Sequence, residues 1–307
     1  MMKTKLGTAD VEVGRLAFGC WRLTEAAEQS ARARIETVLD LGMNLIDTAD
    51  IYGFTTPVAG SDSDGFGGAE VMLGRVLKEA PHLRQKMVLA TKGGIRPPRP
   101  YNSQHDYLIE ALEKSLKRLN TQYVDLYQIH RPDILTSFED LAATLDVMID
   151  SGKVRHIGVS NFTKDQIRAL SRYLTTPLVC DQSQISAWNY QPIMDGQLDL
   201  AQELNLTPLA WSPLAGGQLA TGQADNNEDQ LYLNSLMSVM DEIGETHSAS
   251  RTQIALAFLL KHPANIIPIV GTQKEKRLED AAGAVNINLS AREWYSLLEA
   301  RLGKRMP

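Results

Sequence analysis

Cysteine is nearly absent from this chain of 307 residues: Cys20 and Cys180 stand far apart and in no CxxC pattern. A disulfide framework and a cysteine zinc site are thereby disfavoured, and a reducing cytoplasm is the expected compartment. Positive charge is not in excess either, since the formal net charge is -6. Nucleic acid wants a basic face, so no nucleic-acid partner is expected. No apolar run approaches the ~20 residues that cross a bilayer, and residues 1–7 contain no apolar signal segment. No membrane association is expected. Interdomain linkers, low-complexity tracts and clear internal repeats are also lacking, so residues 1–307 read as one domain. His82, His105, His156, His247 and His262 show no metal-ligand spacing, and no HExxH occurs, so no metal is expected.

What the chain does have is a regular alternation. Short apolar runs at Leu16–Gly19, Met43–Asp47, Met87–Thr91, Val124–Ile129, His156–Val159, Leu178–Cys180, Thr207–Trp211 and Ile266–Val270 read as buried strands. Amphipathic segments with helix-start signals lie between them. Ser103 to Asp106, Thr163 to Gln166 and Ser290 to Glu293 have the spacing of capping boxes, and Ser250 is placed to cap the apolar run from Ile254 to Leu260. Leu108, Leu112, Leu116 and Leu119 fall on one face of the first of these helices. Eight strands alternating with helices predict an α/β fold, a (β/α)8 TIM barrel. The segment Lys3–Val13 reads as a β-hairpin ahead of it. The runner-up, an open doubly wound sheet, would carry a glycine-rich fingerprint after its first strand, and Cys20-Trp21-Arg22 is no such loop. Gly65-Phe-Gly67-Gly68 follows a polar stretch rather than a strand and reads as loop glycines. Long loops at 53–68 and 212–228 fall at the C-terminal face, where barrel enzymes keep function.

Four polar residues far apart in sequence fall at that face. Asp47 ends the second strand and Tyr52 follows five positions on; Lys92 ends the third strand and His130 the fourth. Barrel strand ends converge on one mouth, so the four would meet there. A carbonyl that accepts hydride becomes an alkoxide and needs a proton, which a tyrosine can give. The usual phenol value of about 10 is high for that task, and a neighbouring Lys92 is expected to lower it. Asp47 would hold Lys92, and His130 would orient the carbonyl oxygen. Taken singly, Asp47 reads as a turn cap and Tyr52 as a packing residue, and His130 reads equally as a core histidine. Lys92 at a strand end also fits a Schiff-base lyase.

Asp47-Thr-Ala-Asp-Ile-Tyr52-Gly53, Thr91-Lys92, Ile129-His130-Arg-Pro, Gly158-Val-Ser160-Asn161-Phe162 and Trp211-Ser212-Pro213-Leu214 resemble, in order, the signatures of the aldo-keto reductases. The resemblance covers nearly the whole chain and is closest to the bacterial branch of cytoplasmic oxidoreductases. It implies NADPH-dependent reduction of an aldehyde or ketone, with NADH the weaker cofactor, on the tetrad Asp47, Tyr52, Lys92 and His130. It further implies that Ser160, Asn161 and Gln182 hydrogen-bond the nicotinamide carboxamide and that Trp211 stacks on the ring. Ser212, Leu214, Gly216 and Gln218 fall on the loop that covers the pyrophosphate. Gly271, Thr272, Lys274 and Arg277 fall where the family holds the adenosine 2′-phosphate, with Thr272 to Glu275 spaced as a capping box. Three positions depart from the family pattern: Asp181 and Ala281 replace the usual asparagines, and Gly271 replaces a frequent lysine.

Substrate is barely legible. Trp21, Phe54 and Trp188 are the candidate pocket residues, and an aromatic wall favours carbonyl compounds with apolar bodies. The partner is a small-molecule carbonyl substrate; no oligomeric state is readable. Because barrels of this family also serve as regulatory subunits of potassium channels, a non-catalytic cofactor sensor is a further alternative.

Overall fold

Eight parallel strands close on themselves in a computed structural model, which describes residues 3–25, 28–55, 58–62 and 65–306. Ahead of the barrel, β1 (Lys3–Lys5) and β2 (Glu12–Gly14) pair antiparallel, with Lys3 opposite Gly14. The barrel begins with β3 (Ala17–Gly19), β4 (Leu45–Asp47) and β5 (Val88–Gly93). A small antiparallel ribbon follows, β6 (Ile95–Arg96) with β7 (Arg99–Tyr101). The remaining staves are β8 (Val124–Ile129), β9 (Val154–Ser160), β10 (Leu178–Gln184), β11 (Thr207–Trp211) and β12 (Ile267–Val270). Around the barrel they run β3, β4, β5, β8, β9, β10, β11, β12 and back to β3. Closure leaves no sheet edge, which rules out the open doubly wound sheet. Three strands run further than their apolar cores: β5 takes in Lys92, β9 takes in Ser160, and β10 takes in Gln182.

Twelve helices are described: α1 (Glu28–Asp40), α2 (Gly68–Glu79), α3 (His105–Arg118), α4 (Phe138–Asp150), α5 (Lys164–Ser171), α6 (Gln191–Met194), α7 (Gln197–Glu203), α8 (Gln218–Thr221), α9 (Asn227–His247), α10 (Arg251–Leu260), α11 (Glu275–Gly283) and α12 (Ala291–Leu302). Thr163, Ser250 and Ser290 cap α5, α10 and α12 with reciprocal bonds to Gln166, Gln253 and Glu293, as the spacing predicts. Two expected boxes do not form. Ser103 is buried and its amide is held by Asp133 Oδ2 at 3.0 Å, so α3 starts at His105 with no side-chain cap. Thr272 accepts from the Lys274 amide at 3.3 Å, two residues ahead of the position that would cap α11. Leu108, Leu112, Leu116 and Leu119 are all buried, as their spacing requires. The stretch 212–228 is not a plain loop: it holds α8, and Asn226 caps α9. Gly67, left-handed, stands just ahead of α2, so the glycine-rich stretch leads into a helix that no strand precedes directly.

The barrel floor is apolar. Ala17, Leu45, Val88, Ala90, Leu126, Leu209 and Ile267 fill it, and Leu6 and Val13 of the hairpin pack against them. Filling one end leaves the C-terminal strand ends as the open mouth. Among the described residues, no helix is long and apolar enough to cross a membrane.

Candidate active site

The turn after β4 is laced to β5. The Thr48 amide donates to Ala90 O (2.9 Å) and the Asp50 amide to Lys92 O (3.0 Å), which brings Tyr52 over the end of β5. Lys92, with a fully buried side chain, spends all three of its N–H donors here. Its Nζ donates to Asp47 Oδ2 at 2.7 Å, Thr48 O at 2.9 Å and Tyr52 OH at 3.0 Å. His130 follows Ile129, and its amide donates to Gly93 O (2.9 Å). Its ring stands edge-on to Tyr52, with 5.7 Å between centroids. Three strand ends thus bring Asp47, Tyr52, Lys92 and His130 together. Behind them Thr91 donates to Glu70 Oε1 at 2.5 Å, and Arg118 pairs with Glu70 at 2.7 Å, bracing β5 against α2 and α3.

Charge at this cluster is set by burial against neighbours. Burial alone would push the Lys92 ammonium down, but Asp47 and Tyr52 prevail and hold it above its usual value. Burial pushes the Tyr52 phenol up, and Lys92 opposes this without reversing it. The expectation that Lys92 lowers the phenol below its ordinary value is therefore corrected: the cost of ionising a buried phenol is larger. Burial, then the positive charges of Lys92 and Arg131, keep His130 well below the ordinary histidine value, so its ring is neutral. Its Nδ1 is buried with no partner among the described residues. The set offers a protonated phenol, an ammonium touching its oxygen, and a neutral imidazole. That chemistry gives a proton to an oxygen that gains negative charge.

The residues expected to contact a cofactor occupy the same rim. Ser160 Oγ donates to Gln182 O (2.8 Å), and Asn161, left-handed at φ 60°, donates from Nδ2 to Ser160 Oγ (2.8 Å) and His130 O (3.2 Å). Trp211 Nε1 donates to Asn161 Oδ1 at 3.0 Å. Gln182 reaches Asp47 Oδ1 with Nε2 at 3.0 Å. Past β11, Ser212 is left-handed, Leu214 is half-buried, and Gln218 donates to Asp225 Oδ2 at 2.8 Å. A Cβ added at Gly216 would meet nothing within 4 Å, so this turn leaves space against its backbone. Gly271 and Thr272 lead into α11, whose first turn carries no side-chain cap. Lys274 and Arg277 beside it are exposed and make no ion pair among the described residues. An uncapped helix start with two uncommitted cations fits a phosphate.

Of the candidate pocket residues, Trp21 lies 66% exposed with its ring stacked 5.8 Å from that of Tyr52. Phe54 is half-buried one turn beyond Tyr52, its amide on Ile51 O. Trp188 packs instead under the Arg301 guanidinium, 3.9 Å from it, and makes no ring contact with the tetrad among the described residues. One residue escaped the sequence reading. Gln128, fully buried in β8, donates to Asp47 Oδ1 at 3.1 Å. A glutamine in an otherwise apolar strand, two residues before His130 and so on its face, is the signal that marks it. Among the described residues, no group of three or more His, Cys, Asp or Glu side chains could hold a metal ion.

The Aldo/keto reductase family model matches residues 15–301. A 6-dehydroglucose reductase of Novosphingobium aromaticivorans is 44% identical over 305 residues, covering 99% of this chain and 96% of that protein. A 6-dehydroglucose reductase of Agrobacterium fabrum is 33% identical, covering 96% of this chain and 97% of its own. Among solved structures, a thermostable aldo-keto reductase in complex with the inhibitor epalrestat superposes with a TM-score of 0.81 at 27% identity, covering 98% of this chain and all of that one.

Proposed function

The chain belongs to the aldo/keto reductase family, and from that premise we propose that this NAD(P)H-dependent oxidoreductase uses NADPH to reduce an aldehyde carbonyl, with Tyr52 as the acid. The observation that carries the reading is the contact of Lys92 Nζ with Tyr52 OH at 3.0 Å and with Asp47 at 2.7 Å. When bound, the reduced nicotinamide supplies hydride. Ser160, Asn161, Gln182 and Trp211 would hold its ring. Ser212, Leu214, Gly216 and Gln218 would hold the pyrophosphate, and Gly271, Thr272, Lys274 and Arg277 the 2′-phosphate end.

The raised phenol keeps its proton until the substrate oxygen becomes an alkoxide, and then gives it up. Lys92 stabilises the tyrosinate left behind; Asp47 keeps Lys92 charged and in place. Neutral His130 donates to the carbonyl oxygen and fixes its direction. A Schiff-base lyase needs a free amine at Lys92, and that nitrogen is held charged with all its donors committed.

The two relatives named for 6-dehydroglucose support a hydroxylated aldehyde of sugar size as substrate. Trp21 offers that substrate an exposed aromatic face beside Tyr52. The free, buried Cys20 and Cys180 fit a reducing cytoplasm. The test is NADPH oxidation, followed over many turnovers, with 6-dehydroglucose and a panel of simpler aldehydes. We expect multiple turnover, fastest with the sugar aldehyde. Tight NADPH binding without turnover on any aldehyde would mark a cofactor sensor instead.

A further inference from the structure

Above its apolar floor the barrel holds a buried polar knot. Asp47 gives Oδ2 to Lys92 and turns Oδ1 toward two glutamines, one on β8 and one on β10. A carboxylate offers only lone pairs, so each amide must present its nitrogen. Gln128 Nε2 lies at 3.1 Å and Gln182 Nε2 at 3.0 Å. Gln128 Oε1 then accepts the second N–H of Gln182 at 3.2 Å and the Cys180 thiol at 3.8 Å. Both donors of the Gln182 amide are spent inside the knot. Its Oε1 is left over, and no described residue donates to it. Gly158 makes the arrangement possible: a Cβ there would lie 2.4 Å from Cys180 Sγ and 3.4 Å from Gln128 Cγ.

We propose that Gln128 is a positioning residue that locks the Gln182 amide, so that position 182 presents a hydrogen-bond acceptor, and no donor, to the cofactor. The inference rests on the reading that the nicotinamide lies against Ser160, Asn161 and Gln182. An acceptor there receives an N–H of a ring carboxamide and repels a ring carboxylate. Selectivity for nicotinamide over nicotinic acid is thus built from a residue that never touches the cofactor. Remove the Gln128 carbonyl and one N–H of Gln182 is released, free to turn outward and serve as a donor.

The test is binding, measured by fluorescence titration on the full chain with NADP+, NAD+ and the nicotinic acid analogue of NADP+. The parent should prefer NADP+ over the acid analogue by about tenfold or more, the scale of one hydrogen bond exchanged for a buried clash. Gln128→Met keeps the volume and should narrow that ratio to less than about threefold, leaving the NADP+ to NAD+ ratio unchanged. A general loosening would move both ratios. Gly158→Ala, whose Cβ would press on Cys180 Sγ and disturb the thiol's contact with Gln128 Oε1, should act in the same direction and serves if Gln128→Met fails to fold. Parent-like discrimination in a folded variant that still binds NADP+ would overturn the inference. A parent that binds no NADP+ would overturn the proposed function itself.

Discussion

At the scale of single residues, burial decides more than pairing. Asp181 on β10 shows this plainly. Its Oδ2 accepts from Gln197 at 2.6 Å and Ser183 at 3.1 Å, while Oδ1 is buried without a partner. Burial raises its carboxyl to about 7, and the two hydrogen bonds offset only part of that. Unfolded, the same group releases its proton near 3.9. Between about pH 4 and 7 the folded state therefore binds more protons, and stability falls as pH rises through that window. Asp181→Asn restores the family's usual residue and removes the titration. The variant should exceed the parent in stability at pH 8 by on the order of 2–4 kcal/mol and differ little at pH 4. Urea unfolding at both values checks this; equal stability at pH 8 would contradict it. Asp181 stood out in the sequence as a departure, but its pH dependence did not, because burial of a carboxyl is not written in spacing. The direction of the Tyr52 shift was missed for the same reason, the opposing effect of Lys92 being the only one visible in the chain.

Among elements, the N-terminus of α11 is where the proposed NADPH preference would be set. It has no side-chain cap, and Lys274 and Arg277 stand exposed beside it. Arg277→Ala should weaken NADPH by roughly 1.5–3 kcal/mol, the worth of a charge-assisted contact, and leave NADH binding unchanged. Equal losses for both cofactors in titration would remove the 2′-phosphate assignment. Helix starts divided in their legibility. At Thr163, Ser250 and Ser290 the capping bonds run to a residue three positions on, so the spacing alone foretold the caps. At Ser103 a distant carboxylate, Asp133, takes the amide, and at Thr272 a tighter turn wins. Asp133 lies far outside the capping-box window, and the Lys274 amide lies inside it, where residue spacing does not choose between the two bonds.

In the molecule as a whole, alternation of apolar runs and amphipathic segments was enough to read the barrel. Convergence of strand ends then brought Asp47, Tyr52, Lys92 and His130 into one view. The knot of Gln128 and Gln182 required the register of β8, β9 and β10, in which Gln128 lies opposite Gly158 and Ser160 opposite Gln182. No single segment encodes that. The placement of Trp188 under Arg301 likewise depends on α12 folding back from the end of the chain. The closed barrel converges on one phenol, and the central claim is tested there. Steady-state reduction of a sugar aldehyde by the parent and by Tyr52→Phe should be compared, with NADPH affinity titrated alongside. The account predicts that kcat and kcat/KM fall together by about 10²–10⁴-fold while NADPH affinity and fold are retained. A Tyr52→Phe enzyme with nearly parental kcat would contradict it.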